Sequence, residues 1–315
     1  MAKTLDEIID EHYNQITEHK IPFININTNY DIPIYNNKNK LEKNKTILVL
    51  SGGGIRGLTI IGALKYLYEN NYLNNIKKYA GTSIGGFICS LLNVGYNPRE
   101  IQKFFYKIDI NKLHRNNFEL LLKEFGLDNG NRVYIMLKKL FNNKGFDESI
   151  TFGELYQKTN KKLYLTGTCL NDNTVHYFSA DTHSTMSIIM AIRITMLVPF
   201  YYTPISYNNN MYVDGGCIDN YPINLFRNEL YNVLGIYIQN LPLKNDTPIE
   251  TFEDYLGNII KSLIQGYSHE INNNYKKYTI NIKTENISVM DLEMDEEQKE
   301  KIFNIGYNFV KNLLQ

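Results

Sequence analysis

The sequence predicts an α/β fold built on a parallel sheet, and three observations carry that prediction. Thr46–Leu50 is a short apolar run of the kind that forms a strand buried on both faces. It passes through a glycine loop, Ser51–Gly57, into a helix expected from about Leu58 to Asn70. A second short strand, ending at Ala80, then meets another tight loop and a helix from about Ile84 to Val94. Strand, tight loop and helix in immediate repetition require parallel strands, because each helix carries the chain back to the starting edge of the sheet.

Ahead of this core, residues 4–19 place Leu5, Ile8, Ile9 and Ile16 close to one helical face. An Asn- and Lys-rich stretch broken by Pro22 and Pro33 follows. Residues 1–44 therefore read as an appended helix and extension that packs on a main domain of residues 45–315, a partner or membrane arm being the alternative. Beyond the second helix, residues 98–145 read as mostly helical. Leu163–Cys169 and Thr174–Phe178 read as strands joined at the turn Asn171-Asp172-Asn173, and Ser187–Thr195 as a helix. Met211–Val213 is a strand entering a glycine turn, and Val233–Tyr237 another buried strand. A helix over 251–274, a strand at Tyr278–Ile282 and an amphipathic helix over 295–314 complete the chain.

Composition bounds the function. With 315 residues the chain buries roughly three-quarters of its unfolded surface. Hydrophobic residues at 43% and charged residues at 21% exclude a disordered chain. Lys+Arg and Asp+Glu both number 33, so no global charge draws the molecule to nucleic acid. Cys89, Cys169 and Cys217 lie far apart without CxxC spacing, and the histidines form no HExxH. Neither a disulfide framework nor a metal site is expected. The N-terminus lacks a signal-peptide apolar core and the chain holds no run of some 18 apolar residues. A cytoplasmic protein without a transmembrane helix is the expectation.

The chemistry concentrates in three motifs. Gly52-Gly53-Gly54-Ile55-Arg56-Gly57 satisfies GxGxxG between a strand and a helix. A dinucleotide site would need a carboxylate at the end of the next strand to hold the ribose, but that place reads Lys77-Lys78-Tyr79-Ala80-Gly81-Thr82-Ser83. No Gly-Lys-Ser/Thr closes the loop as a nucleotide P-loop. What remains is a row of backbone N–H groups at a helix start, suited to a phosphate or to the oxyanion of acyl transfer. Gly81-Thr82-Ser83-Ile84-Gly85 decides for the oxyanion. It is GxSxG at a strand-to-helix turn, where Ser83 is held strained with its hydroxyl exposed and Gly81 and Gly85 relieve the crowding. The third motif is Asp214-Gly215-Gly216 after a strand, followed by Asp219-Asn220-Tyr221-Pro222.

GGGIRG, GTSIG and DGG in this order resemble the patatin-like phospholipases, over roughly residues 45–315. The stretch Ala191–Pro204 is similar to the family's segment ahead of DGG, with Thr195 at its threonine or serine position and Met196 where a smaller residue is usual. The resemblance implies a three-layer α/β/α domain with a mainly parallel central sheet. It also implies a serine lipid acyl hydrolase with a Ser83–Asp214 dyad and the Gly52–Gly57 loop as oxyanion hole. The substrate implied is a phospholipid or other glycerolipid at a membrane or micelle surface, attacked without cofactor or metal. The alternative is a catalytically silent lipid-binding or effector protein on the same fold, which would have no need of the strained serine turn.

A carboxylate near pKa 3.9 is a poor base at neutral pH, so Asp214 is expected to be buried beside Ser83. The order Ser83, Asp214, His269 also matches a Ser–Asp–His triad, but His269 sits in a helical stretch without a loop signal. Arg56 either neutralises a lipid phosphate or pins the oxyanion loop, the second being expected. Asp219 reads as a helix N-cap, and His176 and His183 as surface or packing residues. Residues 98–145 and Phe200-Tyr201-Tyr202 are candidates for an acyl groove or an interfacial surface.

Overall fold

Ile47–Leu50 forms strand β1, and all four side chains are buried. Leu48 and Leu50 enter the larger hydrophobic cluster on one face of the sheet, while Ile47 and Val49 enter a smaller one on the other. That alternation is what a strand packed on both faces requires. The computed structural model describes residues 41–113, 116–240, 249–250, 255, 258–259, 262, 274–284 and 294–315. They lie in the larger of two compact units, Lys38–Gln315. All but the last four residues of the appended helix and extension read over residues 1–44, and most of the helix read over 251–274, fall outside the described residues.

From β1 the chain continues through helix α1 (Gly57–Glu69), strand β2 (Lys78–Gly81) and helices α2 (Ile84–Asn93) and α3 (Pro98–Lys107). Helix α4 (Phe118–Glu124), strand β3 (Gly126–Asp128) and helices α5 (Asn131–Asn142) and α6 (Phe152–Thr159) follow. Next come β4 (Lys162–Cys169), β5 (Thr174–Phe178), α7 (Ile188–Thr195), β6 (Phe200–Tyr202), β7 (Ile205–Tyr207) and β8 (Asn210–Asp214). The chain closes with β9 (Val233–Asn240), β10 (Thr279–Thr284) and α8 (Glu296–Leu314).

The main sheet is mixed and mostly parallel. β10, β9, β1, β2 and β4 run parallel in that order. β5, β8 and β7 add antiparallel pairings at the β4 end. The larger core cluster draws on α1, α2, α7 and α8. The opposite face is covered by short 3-10 helices, Pro222–Phe226 and Leu230–Asn232. Helices thus flank the sheet on both sides, the α/β architecture expected from the sequence.

Two departures from the sequence reading matter for the site. Residues 98–145 are not wholly helical: Gly126–Asp128 is a strand that pairs in parallel with Phe200–Tyr202 in a separate two-stranded ribbon. Asp219 does not cap the helix after it, because that 3-10 helix starts from Tyr221 without a side-chain cap. Asp219 instead accepts the Tyr221 N–H and the Tyr177 hydroxyl, which fixes the loop beyond Asp214.

Candidate active site

The site is assembled along one edge of β4. β2 pairs with the first half of that strand, ending at Gly81 opposite Leu165. β5 occupies the other edge, so β8 must take the edge that β2 leaves, and Asp214 lies opposite Gly167. Leu165 and Gly167 are two residues apart, about 7 Å along a strand. The end of β2 and the end of β8 therefore meet, although 131 residues of sequence separate Ser83 from Asp214.

Ser83 sits between β2 and α2 with φ 52° and ψ −127°, a conformation that L-residues avoid. A Cβ on Gly81 would run into the backbone of Gly85 and Gly86, and one on Gly85 into the carbonyls of Leu50 and Ser51. Both positions therefore need glycine for the turn to close. The Ser83 hydroxyl donates to Asp214 Oδ2 at 2.8 Å, and Asp214 Oδ1 accepts the Gly216 N–H at 2.7 Å. Asp214 is only 2% exposed. Burial pushes its carboxyl up to about 7, against the hydrogen bonds from Gly216 and Ser83 that favour the anion.

The glycine loop lies against this pair, since a Cβ on Gly52 would come 3.3 Å from the Ser83 Cβ. Its N–H groups are not equivalent. Gly52 donates to the Asn220 carbonyl, Arg56 to Gly53, and Gly57 to Gly54 and Ile55. Among the described residues no acceptor takes the N–H of Gly53, Gly54 or Ile55. Three of the six residues read as an oxyanion loop thus have a free donor, and the other three hold its shape. Arg56 is buried, and its Nε donates to the Gly53 carbonyl at 3.2 Å. Burial lowers its guanidinium to about 10, with Tyr237 acting in the opposite sense. That contact ties the Arg56 side chain to the glycine loop.

A threonine chain lies beneath the turn, and it joins Thr82 and Thr195, both inside the motifs, through Thr166, which the motifs do not disclose. The Ser83 N–H donates to Thr195 Oγ1 at 2.9 Å, and Thr195 lies 3.2 Å from Thr166 Oγ1. Thr166 donates to Thr82 Oγ1, and Thr82 to the Asp219 carbonyl. Each hydroxyl has one proton, so the chain runs one way, and Thr195 must donate to Thr166. Thr168 adds a bond to the Asp214 carbonyl at 2.9 Å. Threonine is ordinary inside a strand, so Thr166 and Thr168 carry no sequence signal.

The other titratable candidates lie apart. His269 is outside the described residues. Among those described, no imidazole bonds to Ser83 or Asp214. His176 bonds Tyr212 and Asp172, and His183 bonds Thr182. Cys169, Asp172 and His176 offer metal-capable atoms within 4.8 Å of one another. The Asp172 carboxylate there is occupied by His176 and by the Thr174 N–H and hydroxyl. His176 leads the contacts that hold that carboxyl well below the usual range.

A family model described as patatin-like phospholipase matches residues 48–227. The chain belongs to the patatin-like phospholipase family. It is 33% identical over 277 residues to the uncharacterized protein R571 of Acanthamoeba polyphaga mimivirus, covering 84% of this chain and 92% of that one. It is 34% identical over 184 residues to a protein named probable lipid hydrolase 463L of Invertebrate iridescent virus 6, covering 56% of this chain and 62% of that protein. Among solved structures, VipD from Legionella pneumophila superposes with a TM-score of 0.58 at 19% identity, over 86% of this chain and 67% of VipD. That likeness is one of fold. Ser83, Asp214 and the Gly52–Gly57 loop all lie inside the family match.

Proposed function

We propose that this patatin-like protein is a lipid acyl hydrolase of the phospholipase A type, working through an acyl-enzyme on Ser83. The observation that carries the proposal is the 2.8 Å bond from the hydroxyl of a strained, half-buried serine to a fully buried carboxylate. The family membership and the likeness to a named lipid hydrolase support a lipid ester as substrate.

Ser83 Oγ attacks the ester carbonyl carbon while Asp214 Oδ2 takes its proton. The negative charge that develops on the carbonyl oxygen is met by the N–H groups of Gly53, Gly54 and Ile55, at the start of α1, and by the N-terminal field of α2. Collapse breaks the ester bond. The leaving lysolipid alcohol takes the proton from Asp214, and the acyl group stays on Ser83. Water then attacks the acyl carbon and gives its proton to Asp214, which returns it to Ser83 Oγ as the fatty acid leaves. A carboxyl raised to about 7 is a far better base than one near 3.9, and both transfers need a group that gains and loses a proton near neutrality.

The test is fatty-acid release from phosphatidylcholine vesicles. The wild type is expected to release fatty acid, and Ser83→Ala to lose at least about a thousandfold in rate. Equal release by the two proteins, or none by the wild type in the presence of lipid, contradicts the proposal.

A further inference from the structure

Helix α4 is amphipathic in sequence, FELLLKE, yet none of its residues is buried. A helix with a phenylalanine and three leucines in seven residues ordinarily hides one face in the core. Here Phe118, Leu122 and Phe125 recur at i, i+4 and i+7 and are 55%, 83% and 61% exposed. Phe125 immediately precedes Gly126, whose partner across the ribbon is Phe200, itself 45% exposed. Four large, exposed apolar side chains thus lie on adjoining segments, α4 and the start of the ribbon it enters. Phe125 and Phe200 also hold φ values of 65° and 64°, a left-handed backbone that is costly for a bulky residue. Both side chains remain about half exposed, so packing within the chain covers only part of either ring.

The patch also borders the proposed active site. Three residues lead back from Phe200 to Leu197, at most about 11 Å of chain. The Leu197 carbonyl accepts the N–H of Asp214 at 2.8 Å. On the polar side of α4 Lys123 and Glu119 pair at 2.6 Å and Glu124 leaves one net negative charge, so the helix offers no positive field to an anionic lipid surface.

We infer that α4 and the β3–β6 ribbon form a docking surface for a zwitterionic lipid aggregate, inserting Phe118, Leu122, Phe125 and Phe200 to seat the Ser83 site on the lipid. The inference rests on the acyl-hydrolase reading for the choice of a lipid surface over a protein partner. Continuity with the site favours that occupant, an exposed cluster of large apolar side chains marks an interaction surface, and the absence of excess basic residues on α4 favours a zwitterionic lipid over an anionic one. Binding of this kind is apolar and changes little with salt.

The experiment uses Ser83→Ala protein, which turns over no substrate on that reading, and sedimentation with phosphatidylcholine vesicles. Partitioning is expected to fall on the order of tenfold for each of Leu122→Ser and Phe125→Asn. Asparagine is chosen at 125 because it tolerates the left-handed backbone. In otherwise wild-type protein, both changes are expected to leave hydrolysis of a short-chain, water-soluble ester unchanged, which also reports that the fold is intact. The chain contains no tryptophan, so Leu122→Trp supplies a single reporter whose emission should shift to the blue on adding vesicles. Undiminished partitioning of both variants, or an unshifted emission from the Leu122→Trp protein, overturns the inference. So does a concentration-dependent dimer that the variants abolish without change in vesicle binding, which would make the patch a self-interface. If vesicles bind through the patch but wild-type protein releases no fatty acid, the hydrolase reading fails and the docking surface stands.

Discussion

At the scale of single residues, the site depends on two groups held in unfavourable states. Ser83 carries a backbone conformation suited to glycine, and Asp214 carries a carboxylate with almost no access to water. The carboxyl must be ionised to take a proton, so kcat/KM is expected to rise with pH along a limb with an apparent pKa of about 7. A limb near 4 would mean that burial does not govern the base. Stability moves the opposite way. The folded carboxyl binds a proton that the unfolded chain has released above about pH 4. The contribution is therefore fully present below that pH and is lost as pH rises through about 7. Asp214→Asn removes the buried charge and is expected to be inactive yet more stable at pH 8, by on the order of 4 kcal/mol. Thermal melting of the two proteins at pH 4 and pH 8 checks this, since the gap should open only at the higher pH.

At the scale of elements, the site is held by the handover of one β4 edge from β2 to β8 and by the threonine chain beneath it. Thr195→Val leaves the Ser83 N–H and the Thr166 hydroxyl each one partner short in a buried place. The expected cost is about 2 kcal/mol of stability and on the order of tenfold to a hundredfold in kcat, with Thr195→Ser restoring both. Unchanged kcat in Thr195→Val would show that the chain does not position the nucleophile. These scales differ in how far the sequence discloses them. β1 with its glycine loop and β2 with its serine turn are legible because their chemistry is local: glycines at fixed offsets and apolar runs of strand length. Asp214 is legible as a strand-end aspartate before two glycines. The strands β3, β6 and β7 have three residues each, and β3 pairs with β6 across more than seventy residues of chain, so no periodicity announces them. Helix α6 does carry a local signal, the Thr151–Glu154 capping box at its start. The N–H groups of Arg56 and Gly57 are spent locally, in the 3-10 turn that follows Gly53, whereas Gly52 spends its own on Asn220, a nonlocal partner that can be found only in three dimensions.

At the scale of the molecule, the parallel sheet brings the C-terminal ends of β1 and β2 side by side, as the register Leu50 opposite Gly81 requires. Each of these ends feeds a tight loop and a helix start. The glycine donors and the serine therefore come from adjacent crossovers, and the buried aspartate is delivered from the antiparallel side of the sheet. The exposed apolar residues of α4 and β6 lie a short chain away, so the proposed contact with lipid is close along the chain to the proposed chemistry.

The central claim is that Asp214 activates Ser83, and fluorophosphonate labelling with peptide mapping of the adduct tests it most directly. The account predicts an adduct on Ser83 in the wild-type protein and none in Asp214→Ala. Labelling at another residue, or equal labelling of Ser83 when Asp214 is gone, would contradict it.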